Sequence, residues 1–258
     1  MSELLLLGTG ASLTDGSREP TMLAVRGAAT TTLIDCGANP VRQLQRLGVP
    51  LGSIDRLILT HSHPDHTSGF PLLVEMLWLA GRRAPLPVHG PADTVDLMRR
   101  VFGQWDTSGW TGLFEIEWHV VALEMGAPVA QTDEFVITAA PGHHSVPVMG
   151  VRFEGARGGA VMAYSADGEP SEGVRRLAEN ADLLVHEATG EFRFHSTAEA
   201  AAKLAREAGA KRLVLVHLAP LANDLEAQRR AASGIFGGEV RMGEDLDRIT
   251  VEAAGGST

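Results

Sequence analysis

The run Thr60-His61-Ser62-His63-Pro64-Asp65-His66 constrains this chain more than any other stretch. Three imidazoles and a carboxylate fall within six positions, directly after the apolar run Ile54 to Leu59. That run is rich in aliphatic and β-branched residues and reads as a buried strand. The four donors therefore leave the strand's end on a loop. Neutral imidazole with carboxylate is the donor set that suits zinc, manganese or iron. His61 and His63, two apart, can be aimed at one ion. Asp65 and His66 can be swung toward a second, with Pro64 restricting the turn between the pairs. A chance cluster on a polar loop is the bland alternative, and so dense a run argues against it.

A site of this kind needs a scaffold, and 258 residues suffice for one large core. Hydrophobic content of 44% and charged content of 21% are those of an ordinary globular protein. A formal charge of −10 disfavours broad adhesion to nucleic acid or anionic membrane. The arginine pairs at 82–83, 99–100, 175–176 and 229–230 read as solvated helix faces. The single cysteine, Cys36, excludes an intrachain disulfide framework and fits a reducing compartment. Neither a basic leader nor a bilayer-length apolar stretch is present, so the expected location is the cytoplasm, away from membranes.

Strands are expected at Glu3–Leu7, Thr21–Arg26, Thr31–Asp35, Leu86–His89, Leu113–Val121 and Phe135–Ala140. Helices are expected at Pro40–Leu47, Thr67–Leu79 and Pro91–Phe102. Gly8-Thr9-Gly10 lacks the third glycine of a dinucleotide fingerprint, and a polar loop follows it from Thr14 to Pro20. Asp35 could cap the following helix or hold a ligand histidine from behind. The segment Gln104–Gly112, with Trp105 and Trp110, reads equally as a lid or as a packed surface loop.

More donors stand where later apolar strands end. His143-His144 follows Phe135–Ala140, and either histidine could complete the first ion's shell. Asp167 follows the strand Gly159–Ser165, where an Asx-turn or helix cap is the alternative. His217 follows Lys211–Val216. Ser196-Thr197-Ala198-Glu199 has the form of a capping box opening a helix from Thr197 to Ala208.

His61-Ser62-His63-Pro64-Asp65-His66 matches the H-x-H-x-D-H signature, and the chain resembles the metallo-β-lactamase superfamily of dinuclear metal hydrolases. The resemblance implies an α/β fold, a four-layer αββα sandwich of two mixed sheets flanked by helices, in a single domain over residues 1–258. Alternation of strands and helices alone would equally allow one parallel sheet. The resemblance also implies two divalent ions, zinc foremost, with manganese or iron compatible. Under it His61, His63 and His144 hold the first ion, with His144 chosen over His143. Asp65, His66 and His217 hold the second, and Asp167 bridges the two. A hydroxide shared by the ions is then the nucleophile.

Val185-His186-Glu187-Ala188-Thr189 and His195-Ser196-Thr197 resemble the "HEAT" and "HST" stretches of the ribonuclease Z group of phosphodiesterases. The resemblance implies that Glu187 orients His195, which protonates the departing alkoxide. Asp65, His195 and Glu187 are thus the expected catalytic residues, and His186 reads as structural. One departure is plain. The long tRNA-gripping arm of that group falls between the third-motif histidine and the bridging aspartate. Here only Ser145–Ala166 intervenes, room for two strands and the turn Gly155-Ala156-Arg157-Gly158.

The favoured expectation is therefore a dinuclear metal phosphodiesterase acting on a small or cyclic phosphodiester or a nucleic-acid end. The alternative is a tRNA 3′-processing endonuclease, with a homodimer partner standing in for the arm. A lactonase or β-lactamase-type hydrolase is a third reading, and Cys36 stands in the wrong place for that branch's cysteine ligand. A non-catalytic metal-binding protein is the fourth, and buried donors without an ion would be costly.

Overall fold

The computed structural model describes residues 2–13, 16–156, 158–220 and 224–253. Thr14 and Asp15 of the polar loop, and Arg157 of the expected turn, lie outside the described residues. The first half runs β1 (Ser2–Gly8), β2 (Met22–Arg26), β3 (Thr31–Ile34), α1 (Pro40–Arg46), β4 (Ile54–Ile58), α2 (Pro64–Thr67), α3 (Phe70–Leu79), β5 (Leu86–Gly90), α4 (Ala92–Phe102) and β6 (Ile116–Val120). The second runs β7 (Ala127–Gln131), β8 (Phe135–Pro141), β9 (Met149–Gly155), β10 (Val161–Tyr164), α5 (Glu172–Leu177), β11 (Leu183–Glu187), α6 (Ala198–Glu207), β12 (Arg212–Val216), α7 (Leu225–Phe236), β13 (Glu239–Met242) and β14 (Arg248–Val251).

Two seven-stranded sheets form, in the orders β14-β1-β2-β3-β4-β5-β6 and β13-β12-β11-β10-β9-β8-β7. Leu4, Leu6, Ile58, Val151, Val185 and Val214 pack in the seam between them. Leu5, Leu7, Leu57 and Leu59 instead face α1, α3 and α4 on the first sheet's outer side. Leu184, Leu213 and Leu215 face α5, α6 and α7 on the other. Central strands buried on both faces read as continuous apolar runs, which is why Leu4–Leu7 and Ile54–Leu59 alternate so poorly. The expected four-layer αββα sandwich of two mixed sheets is the observed fold.

Each sheet is antiparallel on one side and parallel on the other. β3, β4, β5 and β6 run parallel in the first, and β10, β11, β12 and β13 in the second. The carboxyl ends of β3, β4, β10, β11 and β12 lead into Asp35, Thr60, Ser165, Glu187 and His217. Open α/β sheets bind ligands at such ends. At the opposite end, the Glu134 carboxylate accepts from the Ala28, Ala29 and Thr30 amides and from the Thr30 hydroxyl. That clamp joins the β2–β3 turn of one sheet to the β7–β8 turn of the other.

Several local expectations are corrected. The helix expected over Thr67–Leu79 is two, α2 and α3, with Gly69 between them. A Cβ on Gly69 would lie 1.7 Å from the Ala38 carbonyl oxygen, so the chain must pass there as glycine. Asp65 and His66 consequently stand on a helical turn, not a loop. β7 lies between the expected strands Leu113–Val121 and Phe135–Ala140, where none is expected, because Pro128 obscures a strand that an edge position tolerates. Trp110 stacks on Trp78 at 5.0 Å, so that end of the Gln104–Gly112 segment is packed surface loop. Arg175 and Arg229 pair with Glu172 and Glu226 on exposed helix faces, whereas Arg82 donates to the Ile54, Ala84 and Pro85 carbonyls.

Candidate metal centre

His61, buried after β4, points Nε2 to within 3.2 Å of His63 Nδ1. His144 Nε2, from the loop after β8, lies 3.1 Å from the same His63 atom. A tetrahedral ion with nitrogens about 2.0–2.1 Å away sets its donors about 3.3 Å apart. Burial, ahead of the neighbouring charges, holds His61, His63 and His144 below the usual imidazole range. Neutral imidazole is the ligating form. His143 turns elsewhere: its Nδ1 pairs with Glu169 at 3.0 Å, and its side chain is exposed. Of the two candidates, His144 is the one that joins the cluster.

A second group, Asp65, His66, Asp167 and His217, closes beside the first. His66 Nε2 lies 3.6 Å from Asp65 and 3.4 Å from Asp167. His217 Nε2 lies 3.4 Å and 3.1 Å from the same two carboxylates. Asp167 also stands 3.9 Å from His61 Nε2, and so lies between the groups. Burial opposes charge on Asp167 and His66, but their neighbours prevail. His217 and His66 drive Asp167 well below the carboxylate range, while Asp167 and Asp35 drive His66 well above the imidazole range. Among the described residues His66 Nε2 and Asp167 Oδ1 are buried with no hydrogen-bond partner. Orphaned polar atoms around two close carboxylates suit a divalent cation, so the donor set fits the implied metal.

Two buried carboxylates hold these donors from behind. Asp35 accepts from the Thr60 amide (2.8 Å), the Thr60 hydroxyl (2.9 Å) and His66 Nδ1–H (2.8 Å). It therefore does not cap α1, whose cap is Asn39. Gly37 lets that segment lie against α2, since a Cβ there would sit 1.6 Å from the Asp65 carbonyl oxygen. Glu187 is fully buried and accepts from the Gly168, Thr189 and Ser196 amides, the Thr189 hydroxyl and His195 Nδ1–H.

His195 completes the arrangement. Its ring lies 5.5 Å from that of His217 and 5.1 Å from that of His144, beside both groups. Burial pulls its pKa down, but Glu187, with Asp167 and Asp65 beyond, makes the net direction upward. The expected capping box is not formed. Thr197 is the N-cap of α6, and the Ser196 hydroxyl donates instead to the Gly168 carbonyl, tying the helix entry to the Asp167 turn. His186 is buried away from the cluster with its Nδ1–H on the Glu187 carbonyl, a packing role.

The backbone is strained here. Of six non-glycine residues with positive φ among the described residues, Asp35, Ala166, Phe194 and His217 stand at this site. Such conformations cost of order 1–3 kcal/mol each and persist where surroundings over-determine them. The Phe194 carbonyl accepts from His144 Nδ1–H at 2.9 Å, so that strain orients a donor. The fold decides the roles of Phe194, Thr60 and Thr189. Thr60 and Thr189 stand in the noted histidine and "HEAT" runs, but Asp35, His217 and His144, which they and Phe194 contact, lie 25, 28 and 50 residues away in the chain.

A four-layer sandwich carrying two His/Asp clusters at its parallel strand ends defines a metal-dependent hydrolase of the metallo-β-lactamase fold. A family model for the β-lactamase superfamily domain matches residues 30–218. Ribonuclease Z of Halorubrum lacusprofundi is 31% identical over 95% of this chain and 96% of its own. Ribonuclease Z of Methanothermobacter thermautotrophicus is 29% identical over 98% of each. The crystal structure of the short form of human tRNase Z superposes with a TM-score of 0.79 at 25% identity, covering 96% of this chain and 99% of that one. The chain belongs to the β-lactamase superfamily and, within it, is a metal-dependent hydrolase of the ribonuclease Z-like group. The Methanothermobacter alignment spans 308 positions against a chain of 258 residues, so that relative carries segments with no counterpart here.

Proposed function

We propose that this chain is a phosphodiesterase whose clusters each hold one divalent ion, zinc by preference, with manganese or iron compatible. His61, His63 and His144 hold one, Asp65, His66 and His217 the other, and Asp167 reaches toward both. The observation that carries the reading is the spacing of 3.1–3.6 Å among donors that follow four different strands, β4, β8, β10 and β12, with His195 beside them. When bound, the ions supply Lewis acidity toward the phosphoryl oxygens and an activated water. The chain's own contribution is positional and protonic. Glu187 takes His195 Nδ1–H, so Nε2 is the atom that gives a proton to the departing alkoxide.

The substrate proposed is a small or cyclic phosphodiester or a short nucleic-acid end. The brief β9–β10 turn, where β9 ends at Gly155 and β10 begins at Val161, supports it. The names of the relatives favour a second reading, cleavage at a tRNA 3′ trailer, with a partner copy replacing the arm. The single, fully buried cysteine is consistent with work in the cytoplasm, and we read residues 1–258 as one metallo-hydrolase domain. Among the described residues no helix is long and apolar enough to cross a membrane.

The test loads the protein with zinc and assays bis-p-nitrophenyl phosphate, cyclic and linear dinucleotides, a precursor tRNA and a lactone. Diester turnover abolished by Asp65→Ala or His66→Ala is the expected result. Clean cleavage at the trailer moves the assignment to the second reading. Lactone hydrolysis with no diester turnover overturns both.

A further inference from the structure

We propose that Thr189 is a positioning residue that sets the His217 tautomer and ties that metal donor to the acid pair. The inference rests on the reading of His217 as a ligand and of Glu187–His195 as the acid pair, and goes beyond it. Thr189 is buried, and its hydroxyl oxygen has three polar neighbours: Glu187 Oε2 at 2.8 Å, His217 Nδ1 at 2.7 Å and the His217 carbonyl at 3.0 Å. A hydroxyl has one hydrogen to give. The carboxylate and the carbonyl can only accept, so the hydrogen goes to one of them, the nearer and charged Glu187 by preference. His217 Nδ1 must then be the donor.

The opposite assignment gives the hydroxyl hydrogen to His217 Nδ1. It would leave oxygen lone pairs of Thr189 and Glu187 facing each other at 2.8 Å in a buried site. His217 is thereby held with hydrogen on Nδ1 and a free lone pair on Nε2, the atom 3.1 Å from Asp167 and 3.4 Å from Asp65. Histidine ligands are commonly fixed through the ring nitrogen that does not bind the metal. Among the described residues Oε2 of Glu187 is held by the Thr189 amide and hydroxyl, while Oε1 takes His195 and the Gly168 and Ser196 amides, so the same hydroxyl is one of the contacts that fix the carboxylate beside His195. One side chain thus serves both a metal donor and the acid.

The test uses the full chain with zinc, in Thr189→Val, which keeps the shape and loses the hydroxyl, and Thr189→Ser, which keeps the hydroxyl. Zinc affinity measured by chelator competition should fall about 10- to 100-fold for one of two equivalents in the Val variant and be restored in the Ser variant. The ratio of turnover with an alkoxide leaving group to that with nitrophenolate should also fall in Val and recover in Ser. A merely structural role would weaken both equivalents and both substrates alike. Long-range imidazole proton–nitrogen spectra of the wild type stripped of zinc should show His217 protonated at Nδ1, since zinc on Nε2 would impose that tautomer by itself. That measurement decides the matter even if the Val variant does not fold. Protonation at Nε2 in the stripped protein that still takes up zinc, or zinc affinity unchanged in Val, overturns the inference alone. Failure of the wild type to take up zinc removes the metal reading beneath it.

Discussion

On the first sheet, Asp35 holds His66 directly and reaches His61 through the Thr60 hydroxyl, which lies 3.0 Å from His61 Nδ1. On the second, Glu187 holds His195 directly and reaches His217 through the Thr189 hydroxyl. Both carboxylates are buried at the ends of parallel strands, β3 and β11. The same carboxylate–threonine–histidine device is put to different uses. Asp35 serves one donor in each metal cluster, so it governs metal retention. Glu187 serves a donor and an acid, so it governs both retention and proton delivery. Ligands must keep one protonation state, whereas an acid must change its own, and only the second corner joins the two demands.

Removing the first corner should do the greatest damage. Asp35→Ala leaves the Thr60 amide and hydroxyl and His66 Nδ1–H without their acceptor. Each buried orphan costs about 1–3 kcal/mol. Both zinc equivalents should weaken, and bis-p-nitrophenyl phosphate turnover should fall about 100-fold or more. Metal analysis checks this. A variant that keeps both ions would show that the two corners are not divided as described.

A narrower loss separates acid from metal. His195→Ala should keep its zinc content and slow diesters with alkoxide leaving groups by about 100- to 10,000-fold. Nitrophenolate, which leaves without a proton, should be affected about tenfold or less. Equal slowing of both substrates removes His195 from proton delivery.

The smallest effect concerns a histidine that neither corner serves. His89, on β5, is buried, stacks on His119 at 4.7 Å and has no partner for Nε2 among the described residues. Burial, then His119 and Arg56, lower its pKa to about 4. An unfolded chain takes up a proton near pH 6.5 that the native fold refuses until about pH 4. Stability is therefore expected to decline as pH falls through that window, by on the order of 3 kcal/mol at most. Urea unfolding at pH 7 and pH 4.5 should show the slope, and His89→Gln should flatten it. An unchanged slope would mean that the corners themselves set acid lability.

How much of this was legible follows from where the information lies. The run His61 to His66 was readable because its donors are neighbours in the chain and adjoin an apolar strand. Most strands could be located within a residue or two, since aliphatic runs buried on both faces are hard to mistake. The break between α2 and α3 was hidden, because only the passage of Ala38 against Gly69 demands it. The capping box misled for a related reason: Ser196 is drawn to the Gly168 carbonyl, a partner 28 residues away in the chain.

The chain's order of residues determined by itself the elements, the apolar runs that become two sheets and the chemistry that the donors can perform. Tertiary structure alone decided that His144 joins the first cluster while His143 pairs with Glu169. It alone decided that Thr60 and Thr189 stand between a carboxylate and an imidazole. Strand identity follows from local pattern, but a hydrogen bond's direction depends on atoms brought within 3 Å from distant positions, and no local pattern carries that distance.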